Sequence, residues 1–457
     1  MAFTKILPAG ISTTGTVTVD SLSVGDVTLT GDTDNLIINT DTVTVRPTLD
    51  LNFARDKRLD SKITFTRNSV GTYVDANGLI QTAVNNIPRF DHDPITGESL
   101  GLLIEESRTN LITYSEDLSN AAWTKGAANV QTNAITSPAG DSTADKLYDD
   151  NTSGTHHYVT QSFNKTATTY TASVYVKAAE YTKIALGFSG VSNWQGSPQA
   201  QYNLSTGTTI IVGADTTATI NSVGNGWYRL TLTSTSLNTT ASAFSLAHIS
   251  DSGTNTGAGS VFLGHGGDGS SGVYIWGAQV EQGSFPTSYI PTSGSTVTRA
   301  ADLAKITGTN FTDFYNQTEG TIFFNYKNLS TDTSTIRGVW GLENSAGPVS
   351  GIRSPQSGAT RIRLLYNNNF SSASSNLFLI DTNYKKGVVA YNQTENRLMM
   401  NGTSDFVSAT HTNDNTIVAL SIGSRTINGD SPLGGHIKYF KYYNKRLSNA
   451  QLQNLTK

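Results

Sequence analysis

Two Gly-Asp-Ser triplets, at 140–142 and 429–431, could each present a serine nucleophile of the esterase kind. That chemistry needs a histidine base with an aspartate three residues before it, so that one turn presents both. None of the seven histidines has an aspartate at that offset. Glycoside hydrolysis needs two carboxylates facing one bond, one of them with a raised pKa. Glutamate is rare here, and the long repeat of a parallel β-helix is absent. The sequence therefore predicts a protein that is not an enzyme, with a polysaccharide-degrading spike as the lesser alternative.

Metal chemistry is weakly signalled. His156 and His157 are adjacent, and neighbouring strand residues point to opposite faces, so the pair does not share an ion. Asp32-Thr33-Asp34-Asn35 lacks the remaining ligands of a calcium loop and reads as a turn. The expectation is no cofactor and no metal, with calcium left open. For sugar binding the useful groups are an exposed aromatic face with amides beside it. Trp194 lies in the polar loop Ser192-Asn-Trp-Gln-Gly-Ser and is expected to face solvent, with Asn193, Gln195 and Tyr202 as co-ligands. Tyr366, Asn367 and Asn368 form the comparable loop later in the chain. Trp227 and Trp276 sit in alternating apolar strands and are expected in the core.

These groups need a scaffold, and the composition says which. Ser and Thr make up about a quarter of the 457 residues, and recurrent Trp, Tyr and Phe argue against disorder. The net charge is −4, and the single basic cluster, Arg55-Asp56-Lys57-Arg58, is short. No nucleic-acid surface is expected. Cysteine is absent, and no apolar run is long enough for a signal peptide or a membrane span. These features predict a protein made in a cytoplasm, without membrane insertion.

From 11 to 48, short alternating runs such as Thr16-Val17-Thr18-Val19 and Val43-Thr44-Val45 are punctuated by Gly and Asp turns. Some forty residues of this kind cannot bury their apolar face alone, so other copies must cover it. An intertwined homotrimer does this without free strand edges. Residues 49–104 read as a connecting β-region with an Asn77-Gly78 hairpin turn. Residues 105–291 read as one β-sandwich, with strands at 170–176, 184–188, 200–204, 208–212, 227–232, 243–249 and 273–280 and an exposed, flexible loop at 264–270. A Ser/Thr-rich linker leads into a second sandwich, 292–457, which closes on a short helix capped by Ser448.

The stretch Thr64-Phe-Thr-Arg-Asn-Ser-Val-Gly-Thr-Tyr-Val-Asp-Ala-Asn-Gly, continued by Pro88-Arg-Phe-Asp-His-Asp-Pro and Leu100-Gly-Leu-Leu-Ile-Glu-Glu-Ser-Arg-Thr-Asn-Leu, resembles bacteriophage tail-fibre and head-fibre proteins. Tyr114-Ser-Glu-Asp and Tyr274-Ile-Trp-Gly-Ala-Gln-Val-Glu-Gln-Gly-Ser-Phe-Pro resemble their carbohydrate-binding-module-like jelly rolls. The close, Gly435-His-Ile-Lys-Tyr-Phe-Lys-Tyr-Tyr, is similar to concanavalin-like and laminin-G-like lectin domains. The resemblance implies a virion location and contact with a host surface glycan, but no reaction. The fold expected is all-β: a virion-docking arm and intertwined trimeric β-stalk (1–48), the connecting region (49–104), and two jelly-roll-like β-sandwich domains. Phe3, Ile6 and Leu7 are the docking residues expected to meet other virion proteins of tail or capsid. The alternative is a structural capsid fibre or adaptor that binds no receptor.

Overall fold

The computed structural model describes residues 22–24, 27–29, 46–251, 262–332, 335–354, 363–366, 369–371, 381–408 and 416–457. Phe3, Ile6, Leu7, Asn367 and Asn368 lie outside these residues, as does most of the expected stalk. Leu22–Val24 and Val27–Leu29 pair antiparallel. No helix among the described residues is long and apolar enough to cross a membrane.

The protein is all-β, built from two sandwiches. In the first, one sheet orders the strands Thr124–Gly126, His157–Lys165, Thr240–Ile249, Lys183–Phe188, Gln199–Asn203 and Thr208–Val212. The facing sheet orders Ala128–Ile135, Ala144–Asp149, Gly272–Gln282, Thr169–Ala178, Trp227–Thr235 and Thr217–Ser222. Alternation drives the layering. Along His157–Lys165 every second side chain is buried, because successive residues face opposite sides of a pleated strand. Val159, Val174, Leu186, Leu230 and Leu246 meet in the dry layer between the sheets. Tyr202 spans that layer, its hydroxyl donating to the Thr231 carbonyl of the opposite sheet at 2.6 Å.

The second sandwich corrects the expected domain plan. Its two sheets draw strands from both sides of the first sandwich. Thr64–Thr66 pairs with Leu303–Thr307, Leu49–Asn52 with Gly435–Tyr443, and Ser99–Ile104 with the start of the same strand. Residues 49–104 are therefore part of the second sandwich rather than a connector, and the first sandwich is an insertion within it. The apolar faces of these early strands required a partner, and Leu49, Leu51, Leu102 and Ile104 join Trp340, Phe440 and Tyr442 in one core. The expected linker is also structured. Val297–Arg299 pairs with Arg108–Asn110, a two-stranded clasp where the chain leaves and re-enters the second sandwich.

Beside that clasp lies a buried ionic lock. Arg89 reaches Glu105 at 2.7 Å and also contacts Asp302. Arg67 meets the other oxygen of Asp302 at 3.1 Å, and Arg299 lies 3.6 Å from Glu105. All five side chains are essentially unexposed. Ser288 of the first sandwich donates to Glu105 through both its backbone N–H and its hydroxyl. Burial alone would raise the Glu105 pKa, but Arg299, Arg89 and Ser288 hold it well below its ordinary value of 4.5. The unfolded chain thus binds a proton at a higher pH than the folded one. The stability from Glu105 is complete above about pH 4.5 and is lost as the pH falls below it. Denaturation midpoints measured from pH 7 to pH 3 are expected to fall most steeply below pH 4.5, and Glu105→Gln is expected to flatten that fall.

Candidate functional site

Trp194 is not solvent-facing: it is 2% exposed, which overturns the sequence expectation. The short 3-10 turn Val191–Asn193 folds the loop back, and the Trp194 backbone bridges to Ser236. The indole enters the core, stacked on Phe188 with ring centroids 4.5 Å apart and its N–H donated to the Ser189 carbonyl. Lys165 places its ammonium 5.0 Å from the ring. Tyr202 is fully buried as well, so neither aromatic offers a face to a sugar. Asn193 and Gln195 stay nearer the surface but hold the turn: Asn193 Oδ1 accepts from Asn238 at 2.8 Å, and the Gln195 N–H donates to Thr235. Polar neighbours showed that the loop reaches water, but could not show which way one side chain inside it turns. Tyr366 lies at the end of the strand Arg363–Tyr366, and its companions Asn367 and Asn368 are outside the described residues. Trp227 and Trp276 are in the core as expected.

The structure gathers a different set of groups. A cleft of about 760 Å³ opens where the clasp, the end of Gly272–Gln282 and the turn between His157–Lys165 and Thr169–Ala178 meet the loop before Arg337–Asn344. Volumes of this size suit small ligands. Its wall is dense in hydroxyls, among them Thr109, Thr166 and Thr169, with the Asn164 amide beside them. Charges of both signs complete it. Arg108 grips Glu106 Oε1 through Nε at 3.2 Å and Nη2 at 2.7 Å, and Arg337 lies 3.8 Å from the other Glu106 oxygen. Both guanidiniums pack on Phe285, at 5.1 and 4.6 Å from its centroid. Ser284 donates to Asp332 at 2.6 Å. Arg108 Nη1 and Arg337 Nε are buried without a hydrogen-bond partner among the described residues. Burial lowers the Arg337 pKa, and Glu106 and Asp332 oppose that shift.

Gly283 makes this geometry possible. It sits at φ +143°, and a Cβ there would lie 1.4 Å from Arg108 Nη1. Only a residue without a side chain lets the backbone pass so close. Glu106 and Arg108 stand two residues apart inside the fibre-like stretch, but the groups that make them a site, Phe285 and Arg337, lie more than 170 residues downstream.

A second group of titratable side chains lies at the far end of the same strands. Asp149, His157 and His248 bring ligand atoms within 4.8 Å of one another. His156, next to His157, is exposed, as alternation requires. Weighing only that adjacent pair missed the group, whose other members are distant in sequence.

No protein-family model matches the chain, and no curated protein matches it. Among solved structures, the chain is similar to the CBM40 of the Ruminococcus gnavus IT-sialidase, at 16% identity and a TM-score of 0.27, over 32% of this chain and 88% of that one. It is similar to domain 4 of an extracellular GH43 arabinanase from Geobacillus stearothermophilus, at 12% identity and a TM-score of 0.27, over 38% and 82%. A third likeness is to the receptor-binding domain of a botulinum neurotoxin mosaic serotype C/D, at 12% identity and a TM-score of 0.26, over 34% and 39%.

Proposed function

We propose that this protein is a non-enzymatic fibre of a phage particle, a homotrimer that docks on the tail or capsid through its N-terminal arm and adheres to host surface glycan. The single observation that carries the glycan reading is the cleft at Arg108 and Arg337. Its hydroxyls and the Asn164 amide match the donors and acceptors of a sugar ring. Its planar guanidiniums suit paired hydroxyls or a sugar carboxylate. The fibre reading is supported by the sequence resemblance at 64–111 and 274–286, and by stalk strands too small to bury their own apolar face. Host polysaccharide is its partner; nucleic acid is not, given the balance of charge.

Gly283→Ala should push Arg108 from Glu106 and weaken glycan binding about tenfold, the cost of roughly one charge-assisted hydrogen bond. Calorimetric titration of the full chain with host surface polysaccharide fragments measures this, and circular dichroism checks that the sheets persist. Unchanged affinity would exclude the cleft as the site. Multivalency predicts a second result. A chain lacking residues 1–48 should sediment as a monomer and bind whole cells at least about 100-fold more weakly than the full chain, with the same affinity per site. Equal cell binding by both forms would refute the multivalent reading, and no cell binding by either would favour a structural spacer over an adhesin. Release of reducing ends from the polysaccharide would show an enzyme instead.

A further inference from the structure

At the far end of the first sandwich from the cleft, four side chains from four segments converge. Asp149 ends the strand Ala144–Asp149, and His157 opens His157–Lys165. His248 lies directly across from His157 in the register with Thr240–Ile249. His265 comes from the loop after residue 262, where it bridges to Thr155. The first three are completely buried, and the His265 side chain is 7% exposed. The sequence expectation of an exposed, flexible loop at 264–270 thus fails at His265. Gly267 explains how the loop packs so tightly: a Cβ there would meet the Asp150 carbonyl at 2.0 Å and the His157 ring at 2.9 Å.

The nitrogens point at one carboxylate. His248 Nε2 contacts Asp149 Oδ1, His265 Nε2 lies 3.1 Å from the same oxygen, and His157 Nδ1 lies 3.5 Å from it. The Tyr181 hydroxyl donates to the other oxygen, Oδ2, at 2.7 Å. His248 and His265 both turn Nε2 toward Asp149, and the Nδ1 of each is buried without a partner among the described residues. His157 faces backbone carbonyls on both sides, Ala127 at Nδ1 and His265 at Nε2, 3.2 Å away. A neutral imidazole cannot donate to both. Ala127 itself holds φ +47°, a left-handed conformation rare for a residue with a side chain. Such strain gathers where a site fixes the backbone.

We infer that Asp149, His157, His248 and His265 form a binding site for a divalent transition-metal cation of the zinc class. Asp149, His157 and His248 bring ligand atoms within 4.8 Å of one another, and His265 Nε2, 3.1 Å from Asp149 Oδ1, would add a third imidazole to complete the four-ligand shell such ions take. Calcium is the wrong class, since it takes six to eight oxygens. An ion at His157 Nδ1 would take that nitrogen from the Ala127 carbonyl and leave Nε2–H to donate to the His265 carbonyl. The Tyr181 hydroxyl orients Asp149, as partners behind a metal ligand commonly do. The ion's work is mechanical: it pins the 262–271 loop to the strand ends. The site is independent of the glycan cleft.

The test uses the full chain, stripped with chelator and titrated with Zn²⁺ alone. One equivalent per chain is expected, with a rise in melting temperature that chelator reverses. Co²⁺ in its place should give the intense visible bands of a four-coordinate site. His265→Ala, on a loop and so able to fold, should weaken Zn²⁺ at least about 100-fold, and Tyr181→Phe about tenfold. Circular dichroism of each variant confirms the fold. The inference is overturned if Zn²⁺ neither binds at one equivalent nor moves the melting temperature. It is equally overturned if His265→Ala and Asp149→Asn both bind Zn²⁺ as the native chain does.

Discussion

Replacing Arg89 with alanine is expected to lower the unfolding free energy by about 3–5 kcal/mol, the loss usual when a buried ion pair keeps only one partner. Arg89 bonds at once to Glu105, Asp302, the Ser288 hydroxyl and the Thr72 carbonyl. Removing it leaves the buried Glu105 and Asp302 carboxylates with only Arg67, on Asp302 at 3.1 Å, and the more distant Arg299, 3.6 and 3.9 Å from the two. Burial alone would lower the Arg89 pKa, yet Asp302 and Glu105 raise it, so the charge persists at every ordinary pH. Arg89→Lys is expected to recover little, because a point charge cannot span two carboxylates as a planar fork does. Urea denaturation followed by tryptophan fluorescence measures the loss. The indoles report on both sandwiches: Trp276 belongs to the first, Trp340 to the second. A loss below about 1 kcal/mol would mean that the lock is dispensable to the fold.

Trp194→Ala is expected to cost about 3–5 kcal/mol, as for a large aromatic removed from a packed core. The indole stacks on Phe188, meets Tyr170 edge-on and lies beneath the Lys165 ammonium. The Lys165 ammonium stays held by Ser236 Oγ at 2.6 Å and Asn238 Oδ1 at 2.9 Å, so the cost is one of packing. Had Trp194 been a surface platform for sugar, the same substitution would change stability by no more than about 0.5 kcal/mol and abolish binding. Chemical denaturation and polysaccharide titration of one variant therefore separate the two roles. A stable variant with lost binding would restore the loop at Trp194 as the ligand site.

Much of the local structure could be read from neighbouring residues. The Asn77-Gly78 pair turns a hairpin between Gly71–Val74 and Ile80–Ala83, with Gly78 at φ +79°. Ser448 caps Asn449–Thr456 in a reciprocal bond with Gln451. Strands such as Lys183–Phe188 and Trp227–Thr235 fall where alternation and turn residues place them. These rules act over a few positions, so one sequence carries them whole.

The site was legible only in fragments. Arg108 and Glu106 stood in a stretch recognised by likeness, and His157 stood beside a histidine that points the other way. What brought Arg108 to Arg337, His157 to His248 and His265, and Leu102 to Ile437 is pairing between strands far apart in the chain. So the amino-acid order by itself determined that the protein is built of strands, where most of them turn, and which side chains seek burial. The tertiary structure alone decided that one sandwich sits inside the other, that Trp194 faces inward, and which charges and imidazoles meet. The physical reason is range: backbone preference is settled between neighbours, whereas burial is settled by whichever distant apolar face closes over a residue.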